Sequence, residues 1–146
     1  MANIKRLIVM VLFEHVYLLD VTGPAEVFSL LQREMDEPTG YEVVLAAATL
    51  APVMTSAGVR VLPDTTFADL APRRIDTLVV PGAVEVDAQR RVRAVVAPSV
   101  VVSVRALAGH TRRLASRVRG RACPGCGRPA RRPSCHHTLV HRATTR

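Results

Sequence analysis

Apolar positions in this chain come in unbroken runs more often than in alternation. Lys5–Phe13, "KRLIVMVLF", stays apolar from Leu7 onward, the pattern of a strand buried on both faces. In the following "EHVYLLDVTGPAEVFSLLQREM", Ala25, Val27, Phe28, Leu30 and Leu31 recur at helical spacing. Thr22 is placed to cap that helix and Pro24 falls in its first turn, where a missing N–H costs nothing. The helix is expected to reach Met35, with "DEPTG" closing it. Tyr41–Leu50, "YEVVLAAATL", predicts a second strand. Alternation around Val59 and Val61, with Ser56, Gly58, Pro63 and Asp64, predicts a small hairpin, followed by a helical turn at Phe67–Leu70. "DTLVVPG" (Asp76–Gly82) predicts a third buried strand that stops at Pro-Gly. The stretch from Val86 to Arg113 reads as a helix broken near Pro98 and ended at Gly109. "RLAS" (Arg113–Ser116) starts a fourth strand.

That order predicts an α/β fold: a partial flavodoxin-like, doubly wound parallel sheet, truncated after the fourth strand, with a disordered basic tail. Residues 1–116 form the incomplete domain and residues 117–146 the tail. In such sheets ligands bind in the crevice at the carboxyl ends of the strands. Two loops fall there, Glu14–Gly23 and Gly82–Asp87.

Charge sharpens the boundary. The chain carries a net +8, yet residues 117–146 hold eight arginines and no acid, leaving 12 basic against 12 acidic side chains in residues 1–116. A neutral body with a basic appendage does not describe a dedicated nucleic-acid-binding domain, so no specific nucleic-acid partner is expected. No apolar run approaches the roughly 20 residues of a membrane span, and "LIVMVLF" lacks a signal-peptide cleavage site. No membrane partner is expected, and the cysteine-free body points to the cytoplasm.

"LLDVTGPAEVF", "YEVVLAAA", "SAGVRVLPDTTFADL" and "DTLVVPGAVEVDA" together resemble the ThiJ/PfpI superfamily of class I glutamine-amidotransferase-like domains. The likeness is strongest to the branch that senses ligands in front of an AraC-type DNA-binding domain, with the isonitrile hydratases close in pattern. It covers residues 5 to 116. The resemblance implies a pocket acid at Asp20, which assists a nucleophilic cysteine or positions a ligand. The residue-level alternative is an acid that merely favours the helix dipole. It also implies that the backbone N–H near Gly82 contributes to an oxyanion hole. The alternative there is a turn that needs glycine. Ala83 stands where the family has a second glycine, and it completes a ligand pocket of Asp20, Gly82 and Ala83. Glu14, His15 and Glu26 lie near the rim, and His110 falls in a surface turn.

The family continues past its fourth strand into a sharp turn carrying the cysteine nucleophile; here Ser116 is followed by Arg117. The body holds no cysteine, and no histidine is placed to activate Ser116, so catalysis is not expected. Shifted by one base, codons compatible with the tail read "VCGG…AAAGLLDGRRATTHW", the family's elbow and the segment after it. Residues from about Arg117 are therefore read as out-of-frame translation. At face value the tail offers another chemistry: Cys123 and Cys126 form a knuckle that Cys135, His136, His137 and His141 could complete as a zinc site. On the frame reading no metal and no cofactor are expected.

The functional expectation is a remnant ligand-sensing domain of an AraC-family regulator; the alternative is a truncated isonitrile hydratase-like cysteine enzyme. The expected partner is a small-molecule ligand, and self-association into a homodimer is kept open.

Overall fold

The computed structural model describes residues 5–34, 40–83, 85–86, 92–93, 96–116 and 139–142. In chain order the elements are β1 (Arg6–Val11), α1 (Leu18–Glu34), β2 (Tyr41–Ala47), β3 (Val53–Met54), β4 (Arg60–Val61) and β5 (Thr65–Thr66). Then come α2 (Phe67–Leu70), β6 (Ile75–Val80), β7 (Glu85–Val86), β8 (Val92–Arg93), α3 (Pro98–Ala108), β9 (Thr111–Ser116) and β10 (Leu139–Arg142).

The main sheet runs β10-β9-β6-β1-β2-β5. Strands β9, β6, β1, β2 and β5 are mutually parallel, and β10 pairs antiparallel with β9. The expected doubly wound parallel sheet is therefore present. Strand β1 is central, and its residues Leu7–Val11 are buried because neighbours and helices cover both faces. The β1–α1–β2 connection steps to one side of β1 and the β6–α3–β9 connection to the other. With right-handed crossovers this sends α1 and α3 to opposite faces. α2 packs beside α3.

Local chemistry explains the shorter elements. Thr66 caps α2: its hydroxyl oxygen accepts from the Asp69 N–H at 3.2 Å while donating to the Asp69 carboxylate at 2.6 Å. At the tip of the β3–β4 hairpin, Gly58 adopts φ +77°, and Thr55 donates to the Val59 carbonyl through both its N–H and its hydroxyl. Asp64 ties the chain back to the edge of β2, accepting from Leu45 N–H at 2.8 Å and donating its own N–H to the Leu45 carbonyl. Asp76, its side chain only 10% exposed, draws Arg112 and Arg113 to 3.5 and 3.7 Å and so links β6 to β9.

Several boundaries differ from the sequence reading; β2, for one, ends at Ala47 rather than Leu50. Helix α1 begins at Leu18, so Thr22 is no N-cap and Pro24 lies inside the helix. The Thr22 hydroxyl donates back to the Leu18 carbonyl at 3.0 Å, an interior habit of threonine. Pro24 leaves the Asp20 carbonyl without its helical donor; the preceding turn is held by tertiary bonds described below. Pro98 opens α3 rather than breaking a longer helix, because the residue before a proline is pushed to extended geometry, as Ala97 is at φ −55°, ψ 138°. Upstream of it, β7 and β8 form a short antiparallel pair in place of the expected helix. Finally, β9 starts at Thr111, two residues early.

Beyond β9, Leu139–Arg142 line up against Arg113–Ser116 and occupy an edge whose backbone groups would otherwise lack partners. Apart from these four residues, the tail expectation falls outside the described residues.

Candidate functional site

At the carboxyl end of β1 the chain turns across the top of the sheet. His15 makes the turn with φ 62°, a left-handed conformation unusual for a residue with a Cβ. The next residues are paired on both flanks. On one side His15 N–H donates to the Met54 carbonyl at 2.8 Å and Ser56 N–H to the Val16 carbonyl at 3.0 Å. On the other, Tyr17 N–H donates to the Gly82 carbonyl at 2.8 Å, and Val16 bridges to Ala83. Val16 itself is fully buried.

This pairing sets the first turn of α1 against the segment leaving β6. Asp20 N–H donates to the Tyr17 carbonyl at 3.1 Å, and the Asp20 Oδ2 accepts from the Gly82 N–H at 3.1 Å. The carboxylate thus holds the backbone donor that the sequence assigned to an oxyanion hole. As both groups stand, Gly82 fixes the Asp20 side chain instead of meeting a ligand oxygen. The predicted trio of Asp20, Gly82 and Ala83 is brought together around one cavity.

Two cavities meet at Leu19 and Asp20. The first, about 540 Å³, lies between the start of α1, Ser56–Ala57 of the hairpin and Gly82–Ala83. The second, about 550 Å³, opens over the sheet face beside α1; Phe28, Thr77, Val79, Arg113 and Ser116 line it together with Asp20. Ser116 therefore shares a cavity with Asp20. A third space of about 340 Å³ takes Glu14 and His15 away from Asp20, to the neighbourhood of Thr49 and Ser99. Glu26 faces solvent and pairs with Arg33 at 3.7 Å, and His110 sits in the turn after α3.

Tyr17, Ser56 and Ala57 were not singled out from sequence. The usable signal was the glycine turn at Gly58, which bends Ser56 toward α1. Cys123, Cys126, Cys135, His136 and His137 lie outside the described residues, and so does the side chain of His141. Among the described residues, no group of three or more His, Cys, Asp or Glu is placed to hold a metal. Likewise, no described helix is long and apolar enough to cross a membrane.

A doubly wound α/β domain with a clamped carboxylate at the rim of its central strands is the class that fold and site define. The chain belongs to the DJ-1/PfpI family, whose model matches residues 6–104. No curated protein sequence matches it. Among solved structures it is similar to a ThiJ/PfpI family protein from Pseudomonas syringae: TM-score 0.59, 21% identity, 77% of this chain and 41% of that one. It is similar also to an AraC family transcriptional regulator from Pseudomonas putida: TM-score 0.58, 17% identity, 77% of this chain and 55% of that one. A two-domain protein from Anabaena variabilis, with DJ-1/ThiJ/PfpI-like and ferritin-like domains, aligns at TM-score 0.53 and 20% identity over 77% of this chain and 29% of that one. At these identities the likeness is one of fold. The chain spans about two fifths to just over half the length of the first two.

Proposed function

We propose that this chain is a ligand-sensing DJ-1/PfpI domain of an AraC-type transcriptional regulator, cytoplasmic, and without catalysis of its own. The supporting observation is the state of Asp20. Its carboxylate is clamped by Gly82 N–H between two cavities, whose described lining residues carry aliphatic, aromatic and hydroxyl groups and the Arg113 guanidinium. Such a site can orient and hold a small molecule. Covalent catalysis would further require a thiolate, or a hydroxyl with a base beside it.

The reading includes a change of frame at about Arg117, supported by the break in composition after Ser116. The second reading, a cysteine enzyme of the isonitrile hydratase kind, is favoured by the position of Ser116. An elbow cysteine just after β9 would enter the cavity that Ser116 already shares with Asp20.

Sequencing the gene across codons 114–120 and downstream tests both. The expected result is a shifted frame encoding a cysteine turn, then "GLLDGRRATTHW"-like residues, then a further small helical module. A shifted frame that stops soon after the domain favours the enzyme. A shifted frame with no cysteine turn sinks the frame change and leaves the tail to be taken as written.

A further inference from the structure

Helix α1 carries a second apolar face. Val21 is buried and Phe28 packs against the core. Leu30 follows Val21 by nine residues, and Phe28 follows Leu19 by nine, about two and a half turns at roughly 3.6 residues per turn. Leu19 and Leu30 therefore point straight away from the sheet, and both are exposed. A segment lying beside α1 on the sheet would cover the side of the helix and miss this outward face. Around the helix, Leu30 occupies the middle of that face, with Val27 and Leu31 on one side and Glu26 and Arg33 on the other. All five are exposed. None of them lines the three cavities described above, so this surface is separate from the ligand site.

We propose that the second half of α1 is a homodimer surface, on which a second copy of the chain packs its own α1 antiparallel about a two-fold axis beside Leu30. Such an axis sets each side of one helix against the same side of the other. Midway between residues 29 and 30, it brings Glu26 to the partner's Arg33 and Arg33 to the partner's Glu26, while Val27 meets the partner's Leu31. Opposite charges thus match on one side of the axis and aliphatic groups on the other, and the two helix dipoles oppose. Within one chain Glu26 and Arg33 are loosely joined, at 3.7 Å with both side chains exposed, so they can exchange partners. The chain's own continuation is a poorer match: residues 117–138 hold one large aliphatic side chain, Val118, alongside six arginines. Leu19 lies outside the overlap, where the first two cavities meet. One helix pair is a small contact, so the association is weak and depends on concentration.

Sedimentation equilibrium of the full chain tests it, with circular dichroism to follow folding. A monomer–dimer equilibrium is expected. Leu30→Glu, at a site the single chain leaves exposed, should keep the helical signal and weaken dimerisation at least about tenfold, because it places two carboxylates at the axis. Glu26→Arg alone and Arg33→Glu alone should each weaken it about tenfold, since symmetry counts each like-charge contact twice. Mixed together, these two variants should pair with each other about as well as the original chain pairs with itself, because every charge contact in the mixed dimer is again of opposite sign. A chain that stays monomeric overturns the proposal. So does a dimer indifferent to Leu30→Glu, which lies on another face. A dimer that Leu30→Glu breaks, but whose mixed charge variants fail to pair, overturns the antiparallel seating. Nuclear Overhauser contacts from Leu30 to residues after Ser116, in a monomer, assign the face to the chain's own continuation and overturn the second copy as its occupant.

Discussion

Met10 of β1 and Val79 of β6 are register partners on the same face of the sheet, yet Met10 is fully buried and Val79 only half-buried. Their strands are comparably aliphatic and hydrogen-bonded to each other. Above them the cover differs. Helix α1 packs over β1 and β2, with its Phe28 ring 5.3 Å from Tyr41, whereas the second cavity opens over β6 and β9. An apolar strand is a candidate for the core; the helix laid across it decides whether it is buried. The flank of α1 tells the same story, with Leu19, Val27, Leu30 and Leu31 exposed, Leu19 to 77%.

The contrast can be broken by substitution. Met10→Ala should cost about 2–5 kcal/mol in a urea melt, whereas Val79→Ala should cost about 1 kcal/mol, since little transfer energy and no new enclosed void are at stake. Equal costs would mean the uncovered half is packed after all. Overpacking sharpens the point. Ala46→Leu, at a fully buried site on β2, should lose about 1–3 kcal/mol, while Ala115→Leu, lining the open cavity, should be neutral or gain stability. Removing the clamp between the two regions comes next: Asp20→Ala leaves the buried Gly82 N–H without its acceptor and should cost about 1–3 kcal/mol, with Asp20→Asn restoring most of it. The smallest effect belongs to Leu30→Lys on the exposed flank, expected within about 0.5 kcal/mol and visible mainly as reduced self-association in light scattering.

The parallel core was legible because buried strands need unbroken apolar runs, and β1, β2 and β6 carry them. The start of α1 was not. Placing Pro24 in the first turn is sound local chemistry, but the turn before it is held by Asp20–Gly82 and Tyr17–Gly82 bonds that join residues more than sixty positions apart. Of the helix expected from Val86 to Pro98, the described Val86 and Val92–Arg93 lie in short paired strands instead. Valine-rich spacing there suits strand and helix alike. Of the site, Asp20, Gly82 and Ala83 came from family likeness. Tyr17 and Ser56 join them only because the chain around Val16 is paired on both flanks, which no spacing in the sequence announces.

That double pairing ties distant parts of the molecule to one peptide. The β3–β4 hairpin and the stretch after β6 grip opposite edges of the same short crosspiece, and α1 starts from its end. Each loop can shift only by tearing its hydrogen bonds to that crosspiece, and the start of α1 only by tearing the Asp20–Gly82 bond. A push at the helix start is therefore delivered to two separate loops together, much as turning a spindle moves both arms fixed to it.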